Sequence, residues 1–533
     1  MTKAWMRHIG SVGLVAALVV VGTASAKSPK PKPKPKPANP AVVVATDKGA
    51  VRGVLSVGLR SFKGIPYAAP PVGVLRWKAP QAAVAWKGVR TATRFGSNCP
   101  QPAGFFGTQS ANENCLFLNV YTPVAAAKAG SKLPVMFWIH GGALITGESN
   151  DYNPIALVKQ GVVVVTINYR LGLLGFLAHP ALAAESPTHS SGNYGLMDQQ
   201  AALAWVKRNI ARFGGNPANV TIFGESAGGL SVRSQLISPL ANGLFQKAII
   251  ESGAYAETLP TEAQAEAVGQ ATATRLGCSD QSGACLRQVP VATLLANDVT
   301  ISQLPNVDGN LLTTDYATAF KSGSFNRVPV LSGSNHDEWR LFVELLSDLS
   351  GIPVTASNYQ AQIQAQFSVP AALASAIAQQ YPLSAYADPA YALGAVGTDV
   401  AFACNARRDV RNLSQFVSTY QYEFNDETAP NIFLPPLTWS LGAYHASEIQ
   451  YLFPAPVSAP QLNATQSSLA LAMQKYWTHF AKTGDPNGGG LPTWPAYTAA
   501  TDQAQSLVGS APLTESTFAA DHKCSFWAPI IGG

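Results

Sequence analysis

From residue 41 to 533 the sequence predicts an α/β fold, a central mostly parallel sheet flanked by helices and carrying helical cap insertions. Three observations lead there. Strand-length apolar runs recur at 135–139, 162–167, 220–223, 248–250 and 328–331. Between the second and third runs lies a helical pattern from about 198 to 213, with Leu203, Val206, Ile210 and Phe213 on one face and Gly214-Gly215 as its stop, which makes a βαβ unit. The composition, 47% hydrophobic and 12% charged over 533 residues, supports a large buried core and argues against disorder of the main body. No fixed-period repeat is present, and the Ala-rich, helix-patterned stretch at about 340–400 reads as an insertion or cap over the sheet.

Ahead of that body, Lys3 and Arg7 precede an apolar segment at 9–22 and then Ala24-Ser25-Ala26. A basic start, an apolar stretch too short to span a bilayer comfortably and a small-residue end predict a secretory signal peptide over residues 1–26, with no transmembrane anchor after cleavage. Residues 27–40 run KSPKPKPKPKPANP. Alternating Pro and Lys supports neither helix nor ladder, so this is an extended, semi-rigid spacer, a solvated tether with weak contact to an anionic cell envelope as the second reading. Seven of the 36 basic residues fall in these first 40 positions, which carry no acid, leaving 29 bases against 30 acids in the rest. The net charge of +6 therefore gives no ground for nucleic-acid binding. A secreted or periplasmic location makes the six cysteines candidates for disulfides; pairing nearest neighbours is one of fifteen possible schemes. None has zinc-knuckle spacing, and no metal or organic cofactor is expected.

The chemistry concentrates after the third apolar run, where Gly224-Glu225-Ser226-Ala227-Gly228-Gly229 separates a strand from a helical segment at about 230–237. G-x-S-x-G in that setting is a nucleophile elbow, a turn so tight that only Gly fits two residues before and two after the Ser. A serine hydroxyl is a weak nucleophile and needs a base, which in turn needs an orienting carboxylate, in the order Ser, acid, His for this arrangement. Of the histidines after Ser226, His336 adjoins the candidate acids and cannot follow them usefully. His479 sits in an aromatic helix, where a packed core residue is expected, and His522 lies two residues from Cys524. His445, in a loop after the last strand region, is the candidate base. The run at 328–331 leads into Asp337-Glu338, and position alone does not separate the two carboxylates.

With these residues in place, the sequence resembles the type-B carboxylesterase family, which includes the cholinesterases and bacterial para-nitrobenzyl esterases. The resemblance covers about residue 49 to the end, through Phe62-Lys63-Gly64-Ile65-Pro66-Tyr67-Ala68, Glu113-Asn114-Cys115-Leu116-Phe117-Leu118-Asn119-Val120, Asn168-Tyr169-Arg170-Leu171-Gly172, the elbow and Cys524-Ser525-Phe526-Trp527. It implies the α/β-hydrolase fold, with Glu338 as the acid although Trp339 stands where the family motif has Gly. It implies an oxyanion hole from the backbone N–H groups of Gly142, Ala143 and Ala227, the first two in the glycine-rich turn His140-Gly141-Gly142-Ala143. It also implies the pairs Cys99 with Cys115, Cys278 with Cys285 and Cys404 with Cys524, and the buried ion pairs Arg76 with Glu113 and Arg170 with Asp198. Ser252 corresponds to a serine that steadies the acid, and Glu225 is placed beside it as a supporting residue.

The resulting expectation is a carboxylic ester hydrolase working through an acyl-enzyme on Ser226, with a small-molecule ester as its partner. A thioesterase, an amidase, a toxin-detoxifying esterase and a non-catalytic binding protein are the alternatives. Choline esters are not expected, because the loop between Cys99 and Cys115 holds Phe105 and Phe106 and no Trp to face a quaternary ammonium.

Overall fold

Residues 135–139 read Val-Met-Phe-Trp-Ile, without polar alternation, because both faces of their strand are covered. Val135, Phe137 and Ile139 point into one apolar cluster with Leu203, Trp205 and Ile222, while Met136 and Trp138 point into another with Phe223, Tyr422 and Trp477. The computed structural model describes residues 41–56, 58–104, 107–127, 130–298 and 304–532. The expected signal peptide, the Lys/Pro spacer, and Phe105 and Phe106 lie outside these residues.

The strands are β1 (Ala41–Ala45), β2 (Ala50–Ser56), β3 (Leu59–Pro66), β4 (Val89–Thr91), β5 (Phe117–Pro123), β6 (Leu133–Ile139), β7 (Val163–Ile167), β8 (Gly215–Glu225), β9 (Lys247–Glu251), β10 (Val330–Asn335), β11 (Thr419–Phe424), β12 (Ala504–Leu507) and β13 (Leu513–Glu515). Among the described residues they form one sheet in the order β1-β2-β3-β5-β7-β6-β8-β9-β10-β11-β12-β13, with β4 beside β2. From β7 to β12 every neighbouring pair is parallel, and antiparallel strands close both edges. The C-terminal ends of β6, β8 and β10 therefore lie on the same side of the sheet, where ligands bind in such folds.

The helix expected at about 198–213 spans Tyr194–Asn209 and tightens into a 3-10 turn at Ile210–Phe213, ended by Gly214 at φ 93°. The apolar periodicity missed its first turn because that turn begins with Tyr194-Gly195. Buried Asp198 in it forms a two-pronged ion pair with Arg170, at 2.7 and 2.8 Å, and Arg76 grips Glu113 in the same way. The Ala-rich stretch folds as helices Trp339–Val343, Tyr359–Phe367, Ala371–Gln380 and Pro389–Gly397, with a π-helical turn at Thr398–Ala403. It has its own core of Val343, Tyr359, Ile363, Ile377, Leu393 and Val396, shared with Trp527 of the closing helix Cys524–Ile531. Trp339 joins this cap to the acid loop: its Nε1 donates to Gln366 at 2.8 Å, and Gly397 leaves room for its ring.

The cysteines pair as Cys99–Cys115, Cys278–Cys285 and Cys404–Cys524. His479 departs from expectation. It turns off the buried face that carries Tyr476, Trp477 and Phe480, and its Nδ1 meets the Asp485 carbonyl at 3.1 Å. His522, set aside for its closeness to Cys524, is the buried one. Its two nitrogens contact Asp399 at 2.6 Å and Glu423 at 2.5 Å, tying the cap and β11 to the chain end.

Burial disfavours the charged ring of His522, but the two carboxylates outweigh it and hold its pKa well above the usual imidazole value. Burial pushes Glu251 on β9 up to about 8 despite a hydrogen bond from Trp477 Nε1. Both raised values carry the same sign. The contribution of His522 is complete below its unfolded pKa of about 6.5 and drains as pH rises toward the folded value. Glu251 stays protonated in the folded state while an unfolded Glu ionises near 4.5, so its effect also falls with pH, up to about 8. The free energy of unfolding should therefore decline between about pH 5 and 9, at roughly 1.4 kcal/mol per pH unit for each proton held only by the folded state, and the melting temperature should fall with it. Glu251→Gln keeps an acceptor for Trp477 and should flatten the slope, melting above the parent at pH 9. A melting temperature that rises across this range would overturn the argument.

Candidate active site

β8 ends in Glu225, and helix Ala227–Ile237 begins one residue after Ser226, whose backbone is at φ 57° and ψ −122°. The turn is this tight because the helix start presses on β6. A Cβ on Gly228 would lie 2.0 Å from the Ile139 carbonyl oxygen, and one on Gly224 would lie 2.6 Å from the same oxygen. Ser226 N–H donates to Glu251 O at 2.9 Å, and the side chain stays partly exposed at the sheet edge.

After β6 the chain turns through Gly142 at φ 102° and Ala143 at φ 56°. His140 supports this turn from below. Its ring stacks on Tyr169 at 4.4 Å, its carbonyl accepts from Tyr169 Oη at 2.8 Å, and burial lowers its pKa to about 4, so the ring is neutral. Among the described residues, the N–H groups of Gly142, Ala143 and Ala227 have no protein acceptor.

His445 lies in the loop after β11, next to Ala446 at φ 70°. Its Nδ1 is 2.6 Å from Glu338 Oε2, and its Nε2 is 3.2 Å from Glu225 Oε1. Phe342 and Phe402 flank the ring at centroid distances of 5.0 and 4.9 Å. The structure thus brings His445, Glu338 and Glu225 together beside the elbow, but it does not hydrogen-bond Ser226 Oγ to Nε2, a contact that commonly tightens only when substrate binds.

The two carboxylates after β10 have different partners. Glu338 is fully buried and its other oxygen accepts the Asn335 N–H at 2.8 Å. Asp337 is engaged elsewhere: Oδ1 contacts Arg340 at 2.7 Å and His336 at 3.1 Å, and Oδ2 accepts the Ala443 N–H at 2.9 Å. Burial raises the Asp337 pKa, but the His336 hydrogen bond and the neighbouring positive charge outweigh it and hold it below the usual carboxylate range. His336, Asp337 and exposed Glu427 bring ligand-type atoms within 4.8 Å of one another, a grouping that sequence spacing did not suggest. Asp337 already has its full set of partners there.

Ser252 is buried at φ 49°, its N–H donates to Gly333 O at 3.0 Å, and among the described residues its hydroxyl makes no direct hydrogen bond to Glu338. The direct bond to Glu338 Oε1 comes from the Asn335 N–H. Three further carboxyls surround the site. Burial, then the charges of Glu448, Glu338 and Glu251, pushes Glu225 well above the usual range, and burial with Glu338 and Glu251 does the same to Glu448. Sequence reasoning missed Glu448, Glu251, Asn335, Phe342 and Phe402. An acid inside the apolar run at 247–251 was the available signal for Glu251.

A mostly parallel sheet with a strained serine between strand and helix defines the molecule as an α/β hydrolase. The sequence matches the carboxylesterase family over residues 40–527, and the chain belongs to that family. It is a carboxylic ester hydrolase by that membership. It is 36% identical to carboxylesterase 1C of Mus musculus over 514 residues, covering 87% of this chain and 91% of the relative. It is also 36% identical to an acylcarnitine hydrolase of Mus musculus over 494 residues (86% of each chain). A fumonisin B1 esterase of Sphingopyxis macrogoltabida is 36% identical over 483 residues, 86% of this chain and 85% of the relative.

Proposed function

We propose that the chain cleaves its ester through an acyl-enzyme on Ser226, with His445 as base and then acid and Glu338 as the carboxylate that orients it. The observation that carries this reading is the 2.6 Å contact between His445 Nδ1 and Glu338 beside the elbow. That contact keeps the proton on Nδ1 and leaves Nε2 to take the hydroxyl proton of Ser226. As Ser226 Oγ attacks, the carbonyl oxygen becomes an oxyanion, and the N–H groups of Gly142, Ala143 and Ala227 receive it. His445 then returns the proton to the leaving alcohol, and water repeats the sequence on the acyl-enzyme. Burial and the charges of Glu448, Glu338 and Glu251 disfavour an ionised Glu225, which would hold Nε2 in an ion pair and compete with the serine. The aromatic walls of Phe342 and Phe402 exclude water from the ring.

The catalytic domain in this reading is residues 41–533, preceded by a cleaved signal (1–26) and the spacer (27–40). Three disulfides favour an oxidising compartment, outside the cell or in its envelope. Among the described residues no helix is long and apolar enough to cross a membrane.

A fluorophosphonate probe tests the nucleophile. It should label one site per chain, and digestion should place the mass increment on the peptide containing Ser226. No labelling, or labelling of another serine, would overturn the assignment.

A further inference from the structure

We propose that Asn335 is a positioning residue of the hydrolytic site, a clamp that fixes the loop of His445 against the loop of Glu338. This rests on the reading of those two residues as base and acid. Asn335 is the last residue of β10, fully buried, three positions before Glu338. Its backbone N–H donates to Glu338 Oε1 at 2.8 Å, and its Nδ2 donates to the Tyr444 carbonyl at 2.8 Å and to Glu448 Oε2 at 2.6 Å. Tyr444 immediately precedes His445, and Glu448 lies three residues after it. One residue therefore holds the acid through its backbone and both flanks of the base loop through its side chain.

The chemistry of the contacts fixes the amide orientation. A peptide carbonyl can only accept, so Nδ2 rather than Oδ1 must face Tyr444 O. A side chain with two donors on one nitrogen suits this place. Asp has none when ionised, and an apolar isostere would fill the volume without joining the two loops. The Asn335 clamp is reinforced on the N-terminal flank by Asp337, whose Oδ2 accepts the Ala443 N–H and whose N–H donates to Ala443 O at 3.0 Å. A Cβ on Gly442 would come 2.1 Å from Asp337 Oδ2, so the base loop is held closely here as well. Between the two clamps, the contact of Nδ1 with Glu338 has little freedom to drift. A loss of alignment near 1 Å is enough to cost on the order of a hundredfold in rate.

The test is a mutant cycle read in kcat and KM with a small soluble ester. Asn335→Ala, and Asn335→Leu as the volume-keeping control, should each lower kcat about 10- to 100-fold with KM within about threefold of the parent. In a Glu338→Gln background the same changes should cost less than about threefold, because the alignment they maintain is already without use. If their effects multiply fully with that of Glu338→Gln, or if Asn335→Leu retains the parental kcat, Asn335 is structural filling and the proposal falls. Failure of both variants to fold would also overturn it, since the residue's main duty would then be stability. If Glu338→Gln alone leaves the rate unchanged, the assignment of the acid fails instead, which separates the two conclusions.

Discussion

Ser226→Ala is expected to abolish ester turnover, with kcat falling by about four to six orders of magnitude, while the protein melts at the parental temperature. The backbone at this position is at φ 57°, a conformation already adopted against the preference of any residue with a Cβ, and Ala meets the same demand as Ser. The hydroxyl makes no hydrogen bond to His445 in the resting structure, so its removal strands no buried partner. Any remaining rate would come from water attacking an ester held by the oxyanion-binding N–H groups. Stopped assays over hours measure it. Retention of more than about a thousandth of the parental kcat would move the nucleophile to another residue.

Glu338→Gln should have the next largest effect, a fall of about 10³- to 10⁴-fold in kcat, as when a neutral amide replaces the carboxylate of such a triad. The Gln carbonyl can still accept the Asn335 N–H, but its NH2 group then faces Nδ1 of His445. That favours the tautomer whose proton is on Nε2, which cannot accept from serine. Asp337→Asn should be much milder, below about tenfold, because an amide oxygen can still accept the Ala443 N–H, and the contacts with Arg340 and His336 that the NH2 group loses do not involve His445. Kinetics on the two variants side by side decide the matter. A larger loss from Asp337→Asn would exchange their roles.

The residues that could be read in advance and those that could not differ in physical kind. The elbow was legible because Gly224 and Gly228 have no substitute where β6 and the helix touch, so local sterics are written into the sequence. Strands buried on both faces were legible as unbroken apolar runs, as at 135–139. The partner that ties Asp337 to the base loop was not legible, because Ala443 meets it only once the loops after β10 and β11 converge, whereas Arg340 lies just three residues on. That convergence also separates Asp337 from Glu338, which position along the chain had left equivalent. The Asn335 N–H was not legible as a donor to Glu338 because a backbone group carries no residue-type signal in the sequence. His479 departs from its expected packed environment, and His522 proves buried without having been assigned one, for a similar reason. Helical phase rotates the first outward, and two acids distant in sequence, Asp399 and Glu423, close around the second.

The bond between Cys404 and Cys524 joins positions 120 residues apart, and the His522 contacts with Asp399 and Glu423 lie beside it. Both fastenings depend on the last dozen residues of the chain. During synthesis from the N-terminus, β1 through β10 and the elbow emerge long before the segment that locks the cap to the sheet. The elbow is thus made well before either fastening of the cap can form. A chain clipped before His522 would keep the elbow and every strand of the sheet but lose both fastenings of the cap.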